Sequence, residues 1–336
     1  MMNAIERVLA EISFRETDER PIFLQIGGLA AKLMGFPLHR YLTDAQTAAE
    51  AQYHTAHLLK NDVLFGFLDF CVEAEAMGAS IAYSDSEYPS IVNPLITDWK
   101  EILSLEPPNL RRDGRMPVVL EVCERLVEKD QGEHFIIGQC LGPTTLATQI
   151  FGIENSIYLL VDNPEAFNLL LNFTTQIAKS FAQAILATGV SAVLINDPSA
   201  SPNVFPKSTF NNMIFPHLKQ LVNEIKTQEK DLVWLQITGK TTSILPTIHD
   251  LPVDLITLDS PVELIEAQEI LNNKAVIGNI NPLLFTNNNN ENLLIQTQST
   301  LAKRRKSGFI LGTGCDIPFD ARPERIHDFL NIVGRV

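Results

Sequence analysis

Short apolar runs rich in β-branched and aromatic residues recur along the chain. Each is closed by a turn signal and followed by a longer stretch with helical spacing. Eight runs carry this pattern: residues 21–26, 62–67, 135–138, 192–195, 232–237, 255–258, 275–278 and 308–311. They are apolar at both odd and even positions, as expected of strands covered on both faces. Strands alternating with helical stretches predict βα units around a parallel sheet, and eight of them predict a (β/α)8 TIM barrel. An open doubly wound sheet would want a phosphate loop after the first strand, but Gly27-Gly28 does not continue as GxGxxG.

The stretches between strands complete the picture. Residues 162–186 alternate apolar and polar positions at helical spacing, with Asn163-Pro164 at the start, and residues 208–226 form a second amphipathic helix. The charged segment from Met1 to Arg7 begins a helical extension before the first strand. An insertion after the second strand, roughly residues 80–133, contains Ile81-Ala82-Tyr83 and Ile91-Val92, which predict a small hairpin over the barrel mouth. The asparagine tract at residues 287–290 reads as a loop. The whole chain, 1–336, reads as a single domain.

Composition narrows the function classes. With 26 basic and 40 acidic residues among 336, the net charge is −14. No basic stripe suits a nucleic-acid backbone. The cluster Lys303-Arg304-Arg305-Lys306 reads as a solvated helix end. No apolar run approaches the ~18 residues of a membrane span, and the N-terminus lacks a signal-peptide pattern. Cys71, Cys123, Cys140 and Cys315 are widely spaced, with no CxxC pair, so free thiols in a reducing cytoplasm are expected.

In a barrel of this kind, function collects at the C-terminal strand ends. Those positions are Asp69, Glu73, Gln139, Asn196, Asp197, Gln236, Thr238, Asp259, Asn279, Asn281, Cys315 and Asp316. Polar residues there either cap the next helix or face a ligand. Cys315 sits in the glycine-rich turn Gly312-Thr313-Gly314-Cys315, where glycines suggest close approach of a ligand. Cys140 lies near the same mouth, which makes a Cys140–Cys315 metal site a candidate. The seven histidines lie in helices or linkers, or, for His134, before the third strand at the opposite face.

Several segments together resemble the uroporphyrinogen decarboxylase superfamily, and within it the corrinoid-dependent methyltransferase branch. They are Asp69 with Val72-Glu73-Ala74-Glu75-Ala76-Met77-Gly78-Ala79, Gly142-Pro143-Thr144-Thr145-Leu146-Ala147 and Asp197-Pro198-Ser199-Ala200-Ser201-Pro202. The series continues through Gly239-Lys240-Thr241-Thr242 and Ile277-Gly278-Asn279-Ile280-Asn281-Pro282 to Gly314-Cys315-Asp316-Ile317-Pro318. The resemblance implies a tetrapyrrole or corrinoid approaching the mouth, a corrinoid carried by a separate protein as partner, and a homodimer as in the decarboxylase branch. It implies Asp69, Asp197 and Cys315 as catalytic residues, with Gln25, Glu73, Gln139, Gln236, Thr238 and Asn279 around the substrate.

The methyltransferase branch holds zinc with His-x-Cys after the fifth strand and a Cys after the eighth. Here those positions read Gln236-Ile237-Thr238 and Cys315. Gln and Thr are poor zinc ligands, so the sequence predicts that zinc is not held tightly. The decarboxylase branch recognises its substrate's carboxylates with arginines near the first strand. The matching stretch, Gln25 to Lys32, has none, and Arg15, Arg20 and Arg40 beside it read as surface residues. Three readings follow: a methyltransferase with a degenerate zinc site, a decarboxylase-like enzyme acting on a tetrapyrrole, or a non-catalytic tetrapyrrole or corrinoid binder.

Overall fold

The computed structural model describes residues 1–84, 86–287 and 290–335. All eight expected barrel strands form. They are β1 (Ile22–Phe23), β2 (Val63–Gly66), β5 (Phe135–Leu141), β6 (Ala192–Asn196), β7 (Leu232–Gln236), β8 (Leu255–Leu258), β9 (Ala275–Ile280) and β10 (Phe309–Thr313). They pair in parallel in the order β1-β10-β9-β8-β7-β6-β5-β2, the order of a (β/α)8 barrel. Side chains close the remaining seam between β1 and β2. Leu24 N donates to Asn61 Oδ1 (2.9 Å), Asn61 Nδ2 donates to the Leu24 carbonyl (3.0 Å), and Ile22 N donates to Asp62 Oδ2 (2.7 Å).

Strand alternation sorts residues to two faces. Phe23, Phe65, Phe135, Ile137, Leu194, Trp234, Leu255, Ile277 and Ile310 fill the barrel interior. Leu24, Leu64, Ile136, Cys140, Val193, Leu235 and Val276 face the surrounding helices. Trp234 packs edge-on against Phe23 (5.2 Å between centroids), and its Nε1 donates to Thr257 Oγ1 (2.7 Å). The indole is therefore buried with its one donor met.

The N-terminal extension is the helix Ala4–Ile12, started by a capping box between Asn3 and Glu6. Its Val8 joins the interior cluster, so the helix plugs the N-terminal end of the barrel. Arg20 is half-buried there, paired with Glu11 and donating to the carbonyls of Phe309 (3.2 Å) and Lys306 (2.8 Å). It braces the barrel floor, whereas Arg15 and Arg40 are exposed. Arg305 corrects the reading of the basic cluster as solvated: its guanidinium donates to the carbonyls of Leu271 (3.1 Å), Gly308 (2.8 Å) and Lys274.

The expected hairpin is present as β3 (Ile81–Ala82) and β4 (Ser90–Ile91), antiparallel. The insertion ends earlier than expected, because Met116–Asp130 is an ordinary barrel helix. The helix Pro164–Ala187 begins where Asn163 and Pro164 predict, with Asn163 Oδ1 accepting from Ala166 N (3.1 Å). The stretch 208–226 is one continuous helical path broken into a short α turn, a π segment over Phe210–Ile214 and the helix Phe215–Ile225. Residues 288 and 289 of the asparagine tract lie outside the described residues, and Asn290, read as loop, already begins the helix Asn290–Lys303.

Candidate functional site

The interior alternation continues past the apolar layers, and at the mouth it delivers side chains of one chemical kind. Gln25 follows Phe23, Gln139 follows Ile137, Asn196 follows Leu194, Gln236 follows Trp234, and Asn279 follows Ile277. Five strands thus end in inward-facing carboxamides, all of them buried. Asn196 Nδ2 donates to Gln139 Oε1 (3.1 Å), and Asn279 Nδ2 donates to the Val262 carbonyl (2.8 Å). Among the described residues, the carbonyl oxygens of Gln25, Asn196 and Gln236 have no hydrogen-bond partner. A buried acceptor without a donor carries a desolvation cost of about 1–3 kcal/mol, so these three oxygens are free to accept from water or another donor.

Acidic groups surround this layer, and each is held by a different device. Asp69 follows β2 and forms a buried bidentate ion pair with Arg115. Arg115 Nη1 meets Oδ2, Nη2 donates to Oδ1 (3.2 Å), and Nε reaches Glu75 Oε2 (2.6 Å). Arg115 stands just before the helix Met116–Asp130, so the pair ties the insertion to the end of β2. Glu73, on the helix Val72–Ala76, accepts from Leu141 N at the end of β5 (2.7 Å), and burial pushes its carboxyl up to about 7. Asp316 accepts from Gly27 N (2.7 Å) and from the Tyr88 hydroxyl (2.8 Å), while Tyr88 itself accepts from Gly28 N (2.5 Å). Burial pushes Asp316 up to about 7 as well. Tyr88 comes from the insertion and lies against Phe67 (6.1 Å), which in turn packs on Phe70 (5.3 Å), so one side of the mouth is aromatic.

Asp197 has a different position from its neighbour Asn196. It points to the helix side, where Oδ1 accepts from Thr145 N (2.6 Å) and Thr145 Oγ1 (2.7 Å), and Oδ2 accepts from Thr144 N (3.3 Å). It satisfies the free amides that begin the helix Pro143–Phe151. Gly142 is required for this approach, because a Cβ there would collide with the Asp197 carboxylate. Asn281 has the capping role that its residue type allows, accepting from Leu283 N (3.0 Å).

The turn around Cys315 corrects the reading of its glycines. A Cβ on Gly314 would meet Asp259 Cα at 2.7 Å, and one on Gly312 would meet the Phe23 carbonyl. These glycines admit neighbouring strands rather than a ligand. Cys315 is half-buried, and burial, reinforced by the charges of Asp259 and Asp316, pushes its thiol up to about 12. Thr238 is half-buried two residues beyond Gln236, and Asp259 accepts from Gly239 N (2.7 Å) and Ser260 N (2.6 Å). Cys140 faces the helices, on the opposite side of β5 from Gln139, so the strand itself separates it from the mouth and from a shared site with Cys315.

The donor set at the mouth does not fit a tightly held zinc ion. Cys315 is the one soft ligand there, and the Gln236 and Thr238 oxygens are weak partners for zinc. Among the described residues, no three His, Cys, Asp or Glu ligand atoms converge there. Residues that sequence reasoning did not reach are Arg115 and Tyr88, both brought to the mouth from the insertion.

A family model for uroporphyrinogen decarboxylase (URO-D) matches residues 3–336. The chain is 29% identical over 216 residues to a methylcobamide:CoM methyltransferase of Methanosarcina acetivorans, covering 64% of this chain and 63% of that protein. It is 25% identical over 289 residues to a uroporphyrinogen decarboxylase of Thermodesulfovibrio yellowstonii, covering 82% of each. A solved methyltransferase from Methanosarcina mazei superposes with a TM-score of 0.90 over 99% of both chains at 20% identity, which establishes the shared fold.

Proposed function

The chain belongs to the uroporphyrinogen decarboxylase family, and from that premise we propose that it is a corrinoid-dependent methyltransferase-like enzyme with a degenerate zinc site, moving a methyl group between a corrinoid and a small neutral or cationic partner. One observation carries the reading: the mouth is lined by carboxamides, three of them with unpartnered carbonyl oxygens, where the resemblance implies zinc ligands or arginines. The likeness to a methylcobamide:CoM methyltransferase supports the methyl-transfer class.

The chemistry of the lining selects the partner. Unpartnered carbonyl oxygens and the Asp259 carboxylate accept hydrogen bonds and attract positive charge. A polycarboxylate would need arginine, and Arg115 is already spent on Asp69 and Glu75. A thiol would need its proton removed, which zinc does for thiols elsewhere. A methylated ammonium or sulfonium group needs neither, because its leaving group departs neutral. The aromatic wall of Phe67, Phe70 and Tyr88 suits such a cation as well. The corrinoid supplies the methyl-carrying centre, presented by a separate protein. This chain's groups bind the small partner, orient its methyl group toward the opening and keep water from it.

The test is an assay of the full chain with reduced cobalamin and a methylated cation, trimethylsulfonium or tetramethylammonium, read by the absorbance of methylcobalamin. Uroporphyrinogen is supplied in a parallel reaction and its products are separated by chromatography. The expected result is cobalamin methylation above the protein-free control and unchanged uroporphyrinogen. Loss of carboxylates from uroporphyrinogen, or no methyl transfer from either cation, would contradict the proposal.

A further inference from the structure

At the end of the barrel opposite the mouth, three side chains from two chain segments bring their donor atoms together. His57 lies in the last turn of the helix Ala45–Leu58, and Glu133 and His134 lie between the helix Met116–Asp130 and β5. One ligand atom from each lies within 4.8 Å of the others, and His57 Nε2 is 3.8 Å from Glu133 Oε2.

The hydrogen bonds decide which ring nitrogens are available. His57 Nδ1 is 2.9 Å from the Tyr53 carbonyl, and His134 Nδ1 is 2.6 Å from Asp130 Oδ1. A carbonyl and a carboxylate only accept, so each Nδ1 carries the proton and the neutral ring keeps its lone pair on Nε2. Asp130 Oδ2 also accepts from His134 N (2.8 Å), so this carboxylate fixes both the ring and the backbone of His134. An imidazole that donates through one nitrogen to an oxygen acceptor is oriented to ligate through the other.

We infer that His57, Glu133 and His134 form a divalent transition-metal site of the two-histidine, one-carboxylate type, with zinc as the ion its donors suit best. Two imidazoles and a carboxylate are a common zinc set, with a remaining position left for water. The site opens on a surface depression of about 360 Å³, so an ion reaches it from solvent. Arg7 and Arg335 line the same depression, but their charges are met by Asp18, Asp62 and Glu19, which leaves Lys60 as the remaining cation among the described lining residues. A bound ion would join the helix end at His57 to the segment entering β5. The Glu133 carbonyl also receives Ile5 N (3.1 Å) from the N-terminal helix, so three elements would be pinned at one point. The ion would brace the barrel floor, away from the reaction.

The test is titration of metal-stripped full-length chain with zinc in competition with a chromogenic chelator, together with the thermal midpoint. One zinc per chain and a raised midpoint are expected for the wild type and for Cys315→Ser. His57→Ala and His134→Ala are each expected to weaken binding more than tenfold and to lose the midpoint shift. His57 is exposed, so His57→Ala decides the matter if His134→Ala does not fold. Absence of a bound equivalent, or binding unchanged in His57→Ala, would overturn the assignment.

Discussion

Asp69 and Arg115 form a two-point ion pair, with both partners buried, that joins the end of β2 to the insertion 46 residues later. Removing one partner leaves the other charge uncompensated. Arg115→Ala should therefore lower the unfolding free energy by about 3–5 kcal/mol, measured by urea denaturation. A loss below about 1 kcal/mol, the scale of an exposed pair, would contradict the buried arrangement.

Asp197 predicts a stability effect of a different origin. Asp197→Ala strands the amides of Thr144 and Thr145 and the Thr145 hydroxyl in a buried place. At about 1–3 kcal/mol for a stranded group, with partial relaxation, a loss of about 3 kcal/mol is expected. Gly142→Ala forces a methyl into the same carboxylate and should cost about 1–3 kcal/mol. Wild-type stability in both variants would mean that Asp197 does not hold the helix Pro143–Phe151.

The raised acids predict a pH signature. Glu73 and Asp316 titrate near 7 in the folded chain, above the ordinary carboxyl values they recover on unfolding. A raised folded-state pKa means that the native state binds more protons than the unfolded state between the two values. The stability these groups contribute is complete below about pH 4 and is lost as pH rises through about 7. The difference in denaturant midpoint between wild type and Asp316→Asn should therefore change between pH 4 and 8 in the wild type's disfavour. A difference independent of pH would remove Asp316 from the titrating groups.

Much of this architecture is legible in the sequence, and the exceptions have physical causes. The eight strands read clearly because each is apolar on both faces, a pattern that few other elements produce. Gln139, Asn196, Gln236 and Asn279 are legible as strand-end positions, yet their meaning depends on which side each residue faces. Alternation along β5 alone places Gln139 inward and Cys140 outward, and that signal separates Cys140 from Cys315. Arg115 and Tyr88 left no comparable mark, because a lone arginine or tyrosine in a polar insertion looks solvated. His57 and His134 lie 77 positions apart, and the parallel pairing of β2 with β5 makes them neighbours.

The zinc ligands implied by the family can be restored. In a His57→Ala background, which removes the site at the barrel floor, Gln236→His with Thr238→Cys supplies an imidazole and a thiolate beside Cys315. Cobalt added to this protein should give a thiolate-to-cobalt absorption band that the His57→Ala parent lacks. Identical spectra would show that the end of β7 is not in register with the family's ligands.

The central claim, methyl transfer without zinc, is tested most directly by the initial rate of cobalamin methylation from trimethylsulfonium before and after complete removal of metal by a chelator. The account predicts equal rates in the wild type and in His57→Ala, and a marked loss in Gln236→Ala, which lacks one of the unpartnered carbonyls at the mouth. Activity that disappears on chelation and returns only with added zinc would contradict it.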